Sequence, residues 1–95
     1  MNIQTSAKYL AELGHPTRLE ILRYLAQKNV KGIPVGELQN QLKIPASTLS
    51  HHINRLINVG LLEQKREGRV LLCSPKYDEL ATLLDFLSQQ WNIKS

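Results

Sequence analysis

Residues 44–69 read IPASTLSHHINRLINVGLLEQKREGR, and this stretch decides the fold. Ile44 and Pro45 break the chain, after which Leu49, Ile53, Leu56 and Ile57 recur at three- and four-residue spacing. That period predicts a helix over about 46–58. Gly60 is a natural stop, because glycine accepts the left-handed conformation at low cost. Beyond it the period changes. Leu61–Lys65 and Arg69–Ser74 are short runs separated by Arg66-Glu67-Gly68, and Pro75 closes the second. This is a β-hairpin pattern, with Gly68 serving a turn that needs positive φ.

Working outward, Val35–Leu42 is a short helix with Leu38 and Leu42 inward, joined to the next by the turn Lys43-Ile44-Pro45. Two short helices around a tight turn are a helix-turn-helix candidate, and the basic hairpin after them makes it winged. Further upstream, Thr5–Leu13 carries Ala7, Leu10, Ala11 and Leu13 and reads as a helix ended by Gly14. Pro16 suits the first turn of a second helix, which runs to about Gln27 with Leu19, Leu22, Leu25 and Ala26 on its stripe and Arg18 and Arg23 outside it. Asn29–Pro34 is a connection, with Ile33 in a short strand. Downstream, about Lys76 to Trp91, a last helix aligns Leu80, Leu83, Leu84, Leu87 and Trp91. The expected fold is mainly α with a small β-hairpin wing. It is a single winged helix-turn-helix domain over 1–95, ordered helix, helix, short strand, helix, helix, hairpin, helix. The helix-turn-helix spans about 35–58 and the wing about 61–74.

On a wheel of about 100° per residue, the apolar positions of 46–58 share one arc. Ser47, Thr48, His51, Asn54 and Arg55 fall opposite. These hydroxyl, imidazole, amide and guanidinium groups suit donation to phosphates or base edges in a major groove. A polar outer face is also what any solvated helix presents. Two neighbours shift the balance toward double-stranded DNA: the face holds no acid, and Lys65, Arg66 and Arg69 follow at the hairpin, arranged to meet phosphate or the minor groove.

The charge agrees. The 95 residues carry 12 basic and 8 acidic groups, net +4. Residues 43–69 hold five basic against two acidic groups, net +3, whereas 76–95 come to −1. The single Cys73 cannot form an internal disulfide, which fits a reducing cytoplasm, and its simplest role is a small buried apolar residue; a redox-sensitive thiol is the alternative. The N-terminus reads as neither a signal peptide nor a membrane span. No phosphate loop, zinc-protease spacing or nucleophile motif is present, so the sequence points away from an enzyme. The competing class is a winged-helix protein-interaction module that binds no DNA, since fold does not fix function.

The sequence resembles the ArsR-type family of bacterial winged-helix repressors. The stretches that carry the likeness are LGHPTRLEILRYLAQ (13–27), VGELQNQL (35–42), residues 44–69 quoted above, and VLLCS (70–74). The resemblance implies a homodimer joined by the first and last helices, about 3–13 and 76–91. It also implies a recognition helix at about 46–58, an imperfect palindrome in a promoter, and repression. It assigns groove contacts to Ser47, Thr48, Ser50 and His51, and an inward, structural role to His52. The residues favour a dimer separately. Leu80, Leu83, Leu84, Leu87 and Trp91 make a stripe longer than a three-helix core needs, and Ile3, Ala7 and Leu10 offer a matching surface; capping of the monomer core is the alternative.

Family members that sense metals hold thiolate or imidazole ligands at places where this chain has none. VGELQNQL lacks cysteine, the last helix lacks histidine, and Phe86-Leu87 is followed by Ser88-Gln89-Gln90-Trp91 without a thiol. His15 lies far in sequence from His51 and His52, whose rings, as helix neighbours, point about 100° apart. The expectation is no metal, no cofactor and an effector the sequence does not identify.

Overall fold

The computed structural model describes residues 1–28 and 31–93. Asn29 and Val30 of the expected connection, and Lys94 and Ser95 of the C-terminal tail, lie outside the described residues. The elements are α1 (Ile3–Leu13), α2 (Pro16–Lys28), β1 (Ile33–Pro34), α3 (Val35–Leu42), α4 (Ala46–Val59), β2 (Leu62–Glu67), β3 (Val70–Pro75) and α5 (Tyr77–Gln90). This is the expected order.

Each helix end has a local cause. The Asn2 side chain accepts the Thr5 amide at 2.8 Å and starts α1. The Nδ1 atom of His15 accepts the Thr17 amide at 3.1 Å and serves one of the unpaired first-turn amides of α2, which Pro16 opens. Lys43 takes the left-handed conformation after α3. At the end of α4, Gly60 has φ +89°, its amide donates to Ile57 O, and the Leu61 amide donates to Leu56 O. These two bonds are a Schellman stop, and the buried Leu61 and Leu56 supply its apolar contact.

The sheet order is β1-β3-β2, antiparallel throughout. Glu67 pairs with Val70, so the hairpin loop is the two residues Gly68-Arg69 rather than the three residues Arg66-Glu67-Gly68. The positive φ of 62° falls on Gly68, the first loop position, as in a type II′ turn. Each strand therefore has six residues, and β2 extends through Arg66 and Glu67.

The core draws on every helix: Tyr9 of α1, Ile21 and Leu25 of α2, Leu38 of α3, Leu49, Ile53 and Leu56 of α4, and Leu83 of α5, closed by Ile33, Leu62 and Cys73 from the sheet. Helix α2 turns differently from expectation. On α2, Arg18 is buried beside Ile21, Leu22 and Leu25, while Leu19 and Ala26 are exposed. On α1 the inward residues are Ser6, Tyr9 and Glu12, while Ala7 and Leu10 face out. In both helices the buried polar groups have partners: Ser6 Oγ donates to Ile3 O, Tyr9 Oη donates to Glu79 Oε2 at 2.6 Å, and Arg18 is bonded to Glu12 and His52. Partnered polar groups are tolerated inside.

Candidate nucleic-acid interface

Helix α4 exposes Ser47, Thr48, Ser50, His51, Asn54 and Arg55 together and buries Leu49, His52, Ile53 and Leu56. The exposed set includes no carboxylate of its own helix. Among the described residues, no intramolecular hydrogen bond occupies the side chains of Ser47, Thr48, Ser50 or Asn54, so their donors and acceptors face solvent. Pro45 leads into the helix with extended backbone (φ −60°, ψ 148°) and no side-chain cap. The first-turn amides of α4 are therefore open to an anion as well.

Arg55 is different. Its Nε donates to Glu12 Oε2 at 2.9 Å and its Nη2 to Glu12 Oε1 at 2.6 Å, a bidentate pair from α4 to α1. The Glu12 side chain is 8% exposed and that of Arg55 is 51% exposed. The Arg55 guanidinium, with lesser help from Arg18, holds the Glu12 carboxyl below the ordinary carboxylate range in spite of burial. Arg18 joins the same cluster. It donates through Nε to the Glu12 main-chain oxygen, lies 3.9 Å from Oε2, and sets Nη1 3.1 Å from His52 Nδ1.

His52 sits inward, as the resemblance implied, with Arg18 as its partner. Facing the guanidinium, Nδ1 acts as acceptor, so the ring proton lies on Nε2. Burial chiefly, then His15, Arg18 and His51, push its pKa below the usual imidazole value. The sequence separates His15 from the pair on α4, yet the fold sets the His15 ring 4.5 Å from that of His52, with the His51 ring 5.5 Å from it. Among the described residues, no group of three histidine, cysteine or acidic side chains is placed to hold a metal ion. Cys73 is buried, its thiol pushed up by burial and contacted by Gln64 Nε2 at 3.4 Å. That environment suits the apolar filler role and disfavours the thiolate a redox sensor needs.

The wing cations do not form one cluster. Successive strand residues point to opposite faces. Lys65 therefore shares a face with Glu63, Glu67 and Leu72, while Arg66 shares the other with Gln64 and Leu71. Arg69 stands in the loop, and all three are exposed.

The expected dimer residues divide as well. Leu83 is sealed in the protomer's own core, and Leu80 and Leu87 are half-buried against it. Leu83 is therefore not available to a partner, which corrects that assignment. A second apolar surface remains outside: Ile3 61%, Leu10 40%, Leu84 67% and Trp91 65% exposed. Ile3, Ala7 and Leu10 of α1 and Phe86, Leu87 and Trp91 around α5 line a groove of about 240 Å³.

Sequence reasoning missed Glu12 and Arg18. Their signal was spacing: Ser6, Tyr9 and Glu12 recur every third residue, and Arg18, Ile21, Leu22 and Leu25 follow one helical stripe. The polar members hid both patterns from a search for apolar residues.

A helix-turn-helix continued by a two-stranded wing, with an acid-free polar face on its second helix, defines a winged-helix protein of the DNA-binding class. Residues 13–65 match the helix-turn-helix domain family. An HTH-type transcriptional regulator of Methanocaldococcus jannaschii is 35% identical over 65 residues, 68% of this chain and 71% of its own length. The transcriptional repressor PagR of Bacillus anthracis is 30% identical over 90% of this chain and 86% of its own. The solved structure of an ArsR-like transcriptional regulator from a Rhodococcus species superposes with a TM-score of 0.77 at 25% identity, covering 94% of this chain and 84% of that one. The chain belongs to the ArsR-type family of winged helix-turn-helix proteins and is a DNA-binding transcriptional regulator. None of its described helices is long and apolar enough to cross a membrane.

Proposed function

We propose that the protein acts as a cytoplasmic homodimer that represses transcription from a palindromic promoter site. In this reading, α4 enters the major groove with Ser47, Thr48, Ser50, His51 and Asn54 toward the bases and nearby phosphates. Arg66 and Arg69 of the wing meet the backbone, with Lys65 a weaker contributor between its acidic neighbours. The chain binds and does not catalyse. Repression is supported by the name of its Bacillus anthracis relative.

The observation that carries the dimer is the apolar face left open by α1 and α5. Leu84 and Trp91 are about two-thirds exposed although Leu83, next to Leu84 in sequence, is buried. So small a chain gains stability by covering such a surface. The partner copy occupies it through Ala7, Leu10, Leu84, Leu87 and Trp91, with Leu80 at the margin.

Leu84→Glu and Leu83→Ala separate the two faces of α5. Leu84→Glu places a charge on the proposed interface. It is expected to sediment as a folded monomer and to lose about 100-fold in affinity for a two-half-site duplex. Leu83→Ala opens a core cavity and costs about 2–5 kcal/mol of stability. A Leu84→Glu protein that remains dimeric and binds as before contradicts the interface.

A further inference from the structure

Resting on the reading of α4 as the DNA-facing helix, we infer that Glu12 is a specificity-determining positioning residue: it clamps Arg55 against α1 and masks a cation that would otherwise grip phosphate without regard to sequence. Arg55 is the sole charged group on the exposed face of α4, among side chains that read by hydrogen bonding. Free, a half-exposed guanidinium there is a phosphate anchor, and phosphate contacts supply nearly all the affinity for random sequence while reading no bases. It is not free. Both carboxylate oxygens of a buried glutamate take its Nε and Nη2, at 2.9 and 2.6 Å. Glu12 is itself held by a second guanidinium, because Arg18 bonds the Glu12 main-chain oxygen and stands 3.9 Å from Oε2. The clamp is thus built into the α1–α2–α4 junction and holds Arg55 along the protein surface.

A purely structural glutamate and a masking one give opposite signs. Loss of a structural strut weakens binding to all DNA. Loss of the mask releases a cation and strengthens binding to random DNA. Affinity for random and selected duplexes is measured across a salt series for the wild type, Glu12→Gln and Glu12→Gln/Arg55→Gln. Glu12→Gln is expected to steepen the log K against log salt slope on random duplex by about one per protomer, about two for the dimer, and to raise that affinity about three-fold. It also narrows the preference for the selected site about three-fold, because the selected complex is already fixed in register by base contacts and gains little from a further phosphate grip. The double variant returns the slope to the wild-type value. An unchanged or shallower slope in Glu12→Gln, or a double variant that keeps the steeper one, overturns the proposal.

A second measurement uses the wild-type protein and does not depend on the variants folding. The Arg55 Nε–H resonance is expected to hold its position when random duplex is added, while those of Arg66 and Arg69 move; a comparable shift at Arg55 overturns the mask. Ser47→Ala/Asn54→Ala is run beside them. If that variant keeps the wild-type sequence preference, α4 is not the reading surface and the underlying assignment falls. If its preference changes but the slopes do not follow the pattern above, the Glu12 proposal alone is lost.

Discussion

At the scale of single residues, the junction beneath α4 is set by who carries the proton on His52. The ring meets Arg18 from α2, His15 from the α1–α2 connection and His51 from its own helix. A proton added there sets a cation against a guanidinium in a buried space. Its pKa in the folded protein lies below the usual value of about 6.5, which the unfolded chain recovers. The unfolded state therefore binds the proton first as pH falls. The stability His52 contributes is full above about pH 6.5 and is lost progressively below it. Glu12 also has a lowered pKa, but as a carboxyl it keeps its contribution above its ordinary value and loses it only in stronger acid. Between about pH 6.5 and 5, then, His52 dominates among these groups. Urea unfolding across this range is expected to show falling stability in the wild type and a flatter profile in His52→Gln; parallel profiles contradict the assignment. The inward role of His52 was legible in the sequence, since it lies beside the apolar arc of 46–58. Its partner was not. Arg18 and Glu12 lie 34 and 43 residues from the α4 side chains they meet, and a pair so distant leaves no local pattern.

At the scale of elements, the wing shows how the position of a turn decides chemistry. The sequence made the hairpin plain through its change of period and its glycine. It did not reveal that Gly68 occupies the first of two loop positions rather than the end of a three-residue turn. The shift places Lys65 and Arg66 on opposite faces of β2. Lys65 then lies between Glu63 and Glu67 on its own face, which cancels part of its field. Arg66 and Arg69 carry the free positive charge. Arg66→Ala/Arg69→Ala is expected to weaken binding to selected and random duplexes alike and to flatten the salt slope by about two per protomer, about four for the dimer. Lys65→Ala is expected to change it by less than half as much per charge removed. Filter-binding titrations at several salt concentrations check both. Equal effects per charge at all three positions contradict the division of the wing into two faces. Helix α4 needed no such correction, because its apolar stripe, its polar arc and its Gly60 stop point to the same boundaries.

At the scale of the whole molecule, α5 serves two surfaces at once. Leu83 goes into the core and Leu84 faces away from it, yet in the sequence both belong to one apolar stripe. Amphipathic period marks which side of a helix avoids water. It does not distinguish burial within a subunit from burial between subunits, because both faces have the same composition. On α1 the inner face is Ser6, Tyr9 and Glu12, and Ile3, Ala7 and Leu10 are left outside. If α1 and α5 join two copies about a two-fold axis, the two α4 helices reach successive major grooves about 34–36 Å apart on one side of the duplex. The account then requires a site of two inverted halves, read by hydroxyl, imidazole and amide groups. Enrichment of duplexes from a random pool, by the wild type and by Ser47→Ala/His51→Ala in parallel, tests that requirement most directly. The prediction is two inverted half-sites about 10 base pairs apart for the wild type, with altered base preference inside each half for the variant. The same motif enriched by both proteins, or no motif enriched by the wild type, would contradict it.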